Sequence, residues 1–91
     1  MGNKIRCSHI LVEKLSLAEE ILKKLKEGGN FSALAEQYSI DGSRRRGGDL
    51  GEFGRGMMVK PFEEAAFKLE KGGISEIVKT QFGYHIIKRT G

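Results

Sequence analysis

The segment from Gly47 to Phe67 restricts the fold more than any other, because a glycine-rich stretch passes there directly into the start of a helix. Pro61 suits the first residue of that helix, since its missing amide hydrogen would have no partner in the first turn. Small or charged residues surround four large apolar side chains: Leu50, Phe53, Met58 and Phe62. The segment therefore predicts a small apolar pocket where a strand, a turn and a helix meet.

The first third of the chain shows one strand pattern followed by one helix pattern. Residues 5–12 alternate with a period of two and become apolar on both faces, which is typical of a central strand. Ser16 and Glu19 then match a capping box, in which each side chain bonds the backbone amide of the other residue. This pattern predicts a helix that ends at Gly28-Gly29.

The remaining elements are predicted by local signals of the same kind. Asn30 is a candidate N-cap for a second helix, which ends near Ser39. Residues 41–48 are rich in Gly, Ser and Arg, which indicates a turn or a short helical turn. The helix that starts at Pro61 should stop at Gly72-Gly73. Further strands are predicted at residues 49–53, 76–79 and 84–89.

The order of these elements predicts an α+β fold, with a small antiparallel sheet covered by helices. We expect residues 1–91 to form one domain, since a chain of this length builds only one core. No apolar run approaches the roughly 20 residues of a membrane span, and Met1-Gly2-Asn3-Lys4 is not followed by a signal-peptide core. The single cysteine, Cys7, fits a reducing compartment. We therefore expect a monomeric, cytoplasmic protein.

Three separated motifs resemble those of the parvulin family of peptidyl-prolyl cis/trans isomerases. They are Cys7-Ser8-His9-Ile10-Leu11-Val12, the segment from Gly47 to Phe67, and Phe82-Gly83-Tyr84-His85-Ile86-Ile87-Lys88, and the resemblance extends from about Lys4 to Arg89. It implies a four-stranded antiparallel sheet surrounded by about four helices. It also implies an enzyme that accelerates rotation about Xaa-Pro bonds in polypeptides and assists protein folding, without a cofactor or a metal.

The resemblance assigns the candidate site residues. His9 and His85 stand at the positions of the family's histidine pair, and Asp41 stands where some members carry cysteine and many carry aspartate. These three residues are expected to be catalytic. The expected substrate-binding residues are Leu50, Phe53, Met58, Phe62, Thr80 and Phe82, with the Thr80 hydroxyl beside the histidine network and Phe82 as an additional apolar wall. Because strand parity places Leu50 and Phe53 on opposite faces, both can line one cavity only if the strand bends near Gly51 or Gly54.

The predicted mechanism is noncovalent and the predicted specificity is broad. Rotation must overcome a barrier of about 18–20 kcal/mol without breaking a covalent bond, and a carboxylate at position 41 is a poor nucleophile but a good hydrogen-bond acceptor. The phosphate-binding loop of phosphoserine-directed parvulins is missing between Val12 and Ser16. Arg44-Arg45-Arg46 is the densest basic run, and most runs of this kind are solvated loops.

Other functions are open at this point. A parvulin scaffold with little catalysis could hold extended chains as a chaperone or binding module. Such a protein would not need His9, His85 and Asp41 together. The net charge of +4 allows nucleic-acid binding, but no aromatic side chain is interleaved with Arg and Lys on an evidently exposed strand. Metal-dependent hydrolysis is disfavoured, since two histidines and one aspartate show no metal-ligand spacing.

Overall fold

The computed structural model describes residues 4–91 and contains four strands, three α-helices and one short 3₁₀ helix. Met1, Gly2 and Asn3, which entered the signal-peptide argument, lie outside the described residues. The elements in chain order are β1 (Ile5–Val12), α1 (Leu15–Lys26), α2 (Phe31–Tyr38), the 3₁₀ helix (Gly42–Arg46), β2 (Asp49–Phe53), α3 (Lys60–Lys68), β3 (Val78–Thr80) and β4 (Gly83–Arg89).

The four strands form one antiparallel sheet in the order β2-β1-β4-β3. The predicted fold class is therefore confirmed, with a 3₁₀ helix in place of a fourth α-helix. β1 and β4 occupy the centre, as the apolar residues on both faces of β1 predicted. None of the described helices has the length and hydropathy needed to cross a membrane.

The sheet is covered on both faces, and each face has its own apolar cluster. One cluster joins Ile10, Val12 and Ile86 of the central strands to α1 and α2. The other joins Cys7 and Ile87, from the opposite face of the same strands, to α3. Alternation along β1 and β4 therefore distributes their side chains between two helical layers. Both histidines belong to the face that α3 covers.

The start of α1 differs from the predicted capping box, whereas its end agrees with the prediction. The helix begins at Leu15, its N-cap is Lys14, and no side chain caps it. Ser16 therefore lies inside the first turn, where a helical backbone prevents it from acting as an N-cap. At the other end the amides of Gly28 and Gly29 donate to carbonyls of the last turn, and Gly28 has a positive φ of 97°. This is a Schellman termination.

The predicted N-cap of α2 is confirmed, and α3 is shorter than predicted. The Asn30 side chain accepts a hydrogen bond from the Ala33 amide at 2.8 Å. Pro61 is the second residue of α3 rather than the first, and the helix ends at Lys68 rather than at Gly72. Leu69 leaves the helix because its backbone is extended, and its carbonyl accepts a hydrogen bond from Arg89 at 2.8 Å.

Candidate active site

A cleft of about 330 Å³ opens on the α3 side of the sheet. Its walls come from β1, β4, β2, α3 with the segment before it, the turn before β4 and the residue that caps the 3₁₀ helix. The lining residues are His9, Leu11, Asp41, Leu50, Met57, Met58, Val59, Phe62, Phe82 and His85. The cleft thus brings together the three predicted catalytic residues and four of the six predicted substrate-binding residues.

The histidine pair follows directly from the register of the two central strands. His9 lies opposite Ile87, and His85 lies opposite Leu11, so the two histidines are diagonal neighbours on one face. Diagonal neighbours in antiparallel strands are close enough for large side chains to meet. Here the rings stack at 22° and the Nδ1 atoms are 3.0 Å apart. Both side chains are buried, with exposed fractions of 5% and 4%.

The two rings belong to a polar chain that runs from Thr80 to Asp41. The Thr80 hydroxyl lies 2.7 Å from His85 Nε2, and His9 Nε2 lies 3.2 Å from Asp41 Oδ2. An ionised carboxylate only accepts hydrogen bonds, so His9 must present Nε2–H to it. His9 Nδ1 then accepts from His85 Nδ1–H, and His85 Nε2 accepts from the Thr80 hydroxyl. Every donor in the chain therefore points toward Asp41.

The last link of this chain is the least aligned one. Although His9 Nε2 is close to Asp41, within residues 4–91 it has no acceptor in good hydrogen-bond geometry. A buried donor without a well-aligned acceptor is costly. The Asp41 carboxylate, which is one-third exposed, lines the cleft at this point. The polar chain thus ends at a charged group that faces the space where a ligand would lie.

The protonation states of the chain follow from burial. Burial, together with the neighbouring His9, lowers the pKa of His85 to about 4, although Asp41 opposes this shift. Burial also lowers the pKa of His9, although Asp41 opposes this shift. For Asp41, burial alone raises the pKa, but the hydrogen bond from Ser43 and the close approach of His9 outweigh it and bring the pKa to about 2. At neutral pH the site therefore holds two neutral imidazoles and one carboxylate.

Asp41 reaches the cleft because the chain after α2 runs along β1. The Ser39 hydroxyl accepts from the Leu11 amide at 3.1 Å, and the Ile40 amide donates to the Leu11 carbonyl at 2.8 Å. Asp41 then caps the 3₁₀ helix, since its carboxylate accepts from the Ser43 amide at 2.9 Å. The same oxygen, Oδ2, is the one that faces His9. The cap thus fixes the position of the carboxylate beside the histidine pair.

Phe62 forms the apolar floor of the cleft beside the histidines. Its ring meets both imidazoles edge-on, with centroid distances of 5.6 Å to His9 and 5.3 Å to His85. Leu50 and Met58 pack against the same cluster and line the cleft with it. An apolar surface of this size, open to one charged group, suits a small ring with an attached amide.

The predicted role of Phe53 in lining the cleft does not agree with its position. Its side chain is only 1% exposed, its ring lies 6.1 Å from that of Phe62, and it does not line the cleft. The register of β1 and β2 shifts between Arg6 and Ser8, so β2 contains one extra residue there. This bulge cancels the parity difference, and Leu50 and Phe53 enter the same apolar cluster. Phe53 therefore supports the floor from behind.

The other two predicted substrate-binding residues have different positions. Thr80 is buried behind His85 and does not line the cleft. Phe82 lies at the rim with 55% of its surface exposed, where the family resemblance predicted an additional apolar wall. The sequence reasoning missed Leu11, Met57 and Val59, which also line the cleft. Met57 and Val59 flank Met58 in a stretch without secondary structure, and this adjacency was the available signal.

His9, His85 and Asp41 are residue types that can also bind metal ions. Within residues 4–91, no group of three His, Cys, Asp or Glu side chains could hold a metal ion. The Nδ1 atoms of the two histidines are bonded to each other, and His85 directs both ring nitrogens to protein atoms.

The comparisons with known proteins agree on one family. The model of the PPIC-type PPIase domain matches residues 1–91. The chain belongs to this family of peptidyl-prolyl cis/trans isomerases, the parvulins. It is 60% identical over 88 residues to foldase protein PrsA 4 of Bacillus cereus, covering 96% of this chain and 31% of that protein. The predicted family and the isomerase activity of the domain are therefore confirmed.

Two solved parvulin structures show the same relation at the level of the fold. The parvulin NmPin of Nitrosopumilus maritimus is 60% identical, with a TM-score of 0.88 over 100% of this chain and 99% of that one. PrsA from Bacillus subtilis is 56% identical, with a TM-score of 0.94 over 98% of this chain and 35% of that one. The chain thus spans about a third of the PrsA proteins that it matches, but nearly the whole of NmPin.

Proposed function

We propose that this parvulin domain accelerates Xaa-Pro isomerisation without covalent chemistry, with Leu50, Met58 and Phe62 holding the proline ring and Asp41 facing the amide. The observation that carries the proposal is the polar chain. It runs through two neutral, buried histidines and ends at an ionised carboxylate that opens into an apolar cleft. The proline ring would then contact apolar side chains, whereas the amide would face a carboxylate.

Electrostatics supports catalysis at such a site. A planar amide carries more negative charge on its oxygen than a twisted amide does, because conjugation moves electron density from nitrogen to oxygen. A carboxylate near that oxygen disfavours the planar form. An apolar cleft disfavours the planar form as well, because a planar amide is more polar than a twisted one. Each 1.36 kcal/mol of preference for the twisted state gives about tenfold in rate. Asp41 and Phe62 supply these two effects.

The short connection after β1 supports a specificity that is independent of phosphorylation. β1 ends at Val12 and α1 begins at Leu15, so only Glu13 and Lys14 separate them. Two residues leave no room for a loop that could grip a phosphate with several arginines. The relatives named foldase protein support folding intermediates as the substrates, since uncatalysed prolyl exchange takes tens to hundreds of seconds.

Prolyl exchange in short Xaa-Pro peptides, measured by NMR exchange spectroscopy, tests this function. Xaa would be Leu, Ala, Lys, Glu and phosphoserine. We expect acceleration with all the unphosphorylated peptides and no marked preference for phosphoserine. A phosphoserine peptide turned over far faster than its glutamate counterpart would contradict the broad specificity. Binding shifts without acceleration would contradict the catalytic role.

That last outcome would favour the second candidate function, a binding module for unfolded chains. The specific observation behind it is the apolar rim, where Met57 and Phe82 are 67% and 55% exposed. Exposed apolar side chains beside a groove are typical of surfaces that bind extended polypeptides. Suppression of the aggregation of an unfolded protein without proline would separate this activity from isomerisation.

Three further predictions concern domain organisation, oligomeric state and localisation. We propose that residues 1–91 fold as one independent domain, that it is monomeric, and that it acts in the cytoplasm. Reversible two-state unfolding of the isolated chain would support the first point. Light scattering tests the second, and cell fractionation with an antibody against this domain tests the third.

A further inference from the structure

The bulge in β2 places Leu50 in the cleft, and it depends on a left-handed turn at Gly51. Arg6 pairs with Glu52 and Ser8 pairs with Asp49, so two steps along β1 match three along β2. The extra residue is accommodated at Gly51, which has a φ of 73°. Only glycine adopts this left-handed backbone without strain. Because glycine adopts an extended backbone just as readily, other contacts must select the bulged conformation, and a flat strand would turn Leu50 toward the opposite face.

One carboxylate provides these contacts on both sides of the bulge. Arg6 of β1 donates from Nε to Asp49 Oδ1 at 3.0 Å and from Nη2 to Asp49 Oδ2 at 2.6 Å. Asp49 Oδ1 also accepts from the Gly51 amide at 3.1 Å. Leu50 lies between Asp49 and Gly51, whose side chain and amide form this last bond. The carboxylate thus ties the bulge to the neighbouring strand and bends the backbone around Leu50.

The position of this pair argues for a geometric role rather than for a large contribution to stability. The Arg6 and Asp49 side chains are 53% and 25% exposed, and exposed ion pairs contribute little to the free energy of unfolding. A bidentate arginine–carboxylate pair, however, restricts the relative orientation of the two groups. Neither residue lines the cleft. Their effect on substrate would therefore be exerted through Leu50.

We propose that Arg6 and Asp49 are positioning residues, which hold the β2 bulge so that Leu50 forms one wall of the proline pocket. The inference rests on the proposed function, because it assumes that Leu50 contacts the proline ring. It predicts an effect on substrate affinity rather than on the chemical step, since Asp41 and the histidines lie on other elements.

The test combines Asp49→Ala, Leu50→Ala and the double variant. The affinity for a Leu-Pro peptide is measured by NMR titration and the turnover by exchange spectroscopy. We expect Asp49→Ala to weaken binding about three- to tenfold, the loss of part of one aliphatic contact, with turnover of the bound peptide changed less than twofold. In the Leu50→Ala background the same substitution should have no further effect on affinity, because its effect passes through Leu50.

Two further variants keep the test specific. Glu76→Ala removes a carboxylate from another surface ion pair, with Lys26 at 3.7 Å, and its affinity should equal that of the wild type. Arg6→Lys keeps the charge but loses the bidentate geometry, so it should weaken binding in the same direction as Asp49→Ala. It also carries the test if Asp49→Ala does not fold, as judged by thermal unfolding.

The outcomes separate this inference from the proposed function. If Leu50→Ala weakens binding but Asp49→Ala and Arg6→Lys do not, the positioning role is wrong and the pocket stands. If Asp49→Ala weakens binding equally in both backgrounds, the pair acts by another route and the inference is overturned. If Leu50→Ala leaves the affinity unchanged, both the inference and the assigned role of Leu50 fail.

Discussion

The polar wall and the apolar lip of the cleft are built in different ways. The polar wall, His9 and His85, lies on the two central strands and is almost completely buried. The apolar lip, Met57 to Val59, lies in a stretch without secondary structure, and Met57 is largely exposed. A catalytic group needs a fixed position, whereas a surface that accepts many sequences gains from side chains that can adapt. The two candidate catalytic histidines thus lie on the rigid part of the fold.

The lip is nevertheless held at one point, by a carboxylate outside the cleft. Glu63 in the first turn of α3 accepts from the Gly56 amide at 2.6 Å and from Arg55 Nη1 at 3.3 Å. The Arg55 guanidinium also lies 4.3 Å above the ring of Phe67. The lip is therefore adaptable in its side chains but tied to α3 through its backbone.

Phe62→Ala should give the largest effect, because Phe62 contacts both regions. The ring is buried, and we expect its removal to lower the free energy of unfolding by about 3–5 kcal/mol. It should also abolish measurable proline binding. Chemical denaturation and peptide titration measure the two effects. Phe67→Ala is the control on the same helix, since Phe67 packs on Phe53 but does not line the cleft. Equal loss of binding in both variants would mean that Phe62 acts only through stability.

Asp41→Ala tests the carboxylate that lies beside the polar wall. We expect kcat/KM to fall tenfold or more, a loss of at least about 1.4 kcal/mol of transition-state stabilisation. The free energy of unfolding should fall by only about 1 kcal/mol, the usual effect of losing a helix cap. Asp41→Asn keeps an oxygen for the Ser43 amide, so it should be more stable than Asp41→Ala but just as impaired in catalysis. An active Asp41→Asn enzyme would show that the charge is not required.

The buried histidines should make the protein less stable in acid. Their pKa values are lowered in the folded state, so below the ordinary value of 6.5 the unfolded chain binds more protons. The free energy of unfolding should therefore fall as the pH decreases from about 6.5 to about 4, by on the order of 2 kcal/mol. His85→Gln should flatten this slope when stability is followed by denaturation at each pH. An unchanged slope would assign the effect to other groups.

The smallest effect is expected at the attachment of the lip. Glu63→Ala removes the acceptor for the Gly56 amide, and we expect a loss of about 1 kcal/mol of stability. Peptide affinity should fall severalfold, because Met57 and Met58 are less well placed. Glu63→Gln keeps an acceptor oxygen and should bind nearly as the wild type does. If hydrogen exchange of the Gly56 amide is equally fast in all three proteins, the lip is not held by Glu63.

Sequence periodicity predicted the central elements well. The alternation in residues 5–12 placed β1 at the centre of the sheet, and Asn30 and Gly28-Gly29 marked helix ends correctly. Capping was less reliable where packing competes with it, since α1 starts at Leu15 and leaves Ser16 within its first turn. Such signals are local, because each depends on the backbone within one or two turns.

The candidate site was predicted in part, and its errors have one cause. Both histidines, Asp41 and the floor of the cleft lie where the sequence motifs indicated. Phe53 and Thr80 do not line the cleft, although the Thr80 hydroxyl lies beside the histidine pair as the resemblance implied, and Met57 was missed. Whether a side chain lines a cavity depends on what covers it from other elements. A sequence motif identifies the positions of site residues but not how deeply their side chains are buried.

The sequence by itself determined the elements, their order and the residue types available for chemistry. The tertiary structure alone decided which of these residues meet. His9 and His85 are 76 positions apart, and only the register of β1 against β4 makes them diagonal neighbours. The extra residue in β2, which brings Leu50 and Phe53 into one cluster, likewise shows only in the pairing with β1. Period and capping are properties of neighbouring residues, whereas register is set by the packing of the whole core.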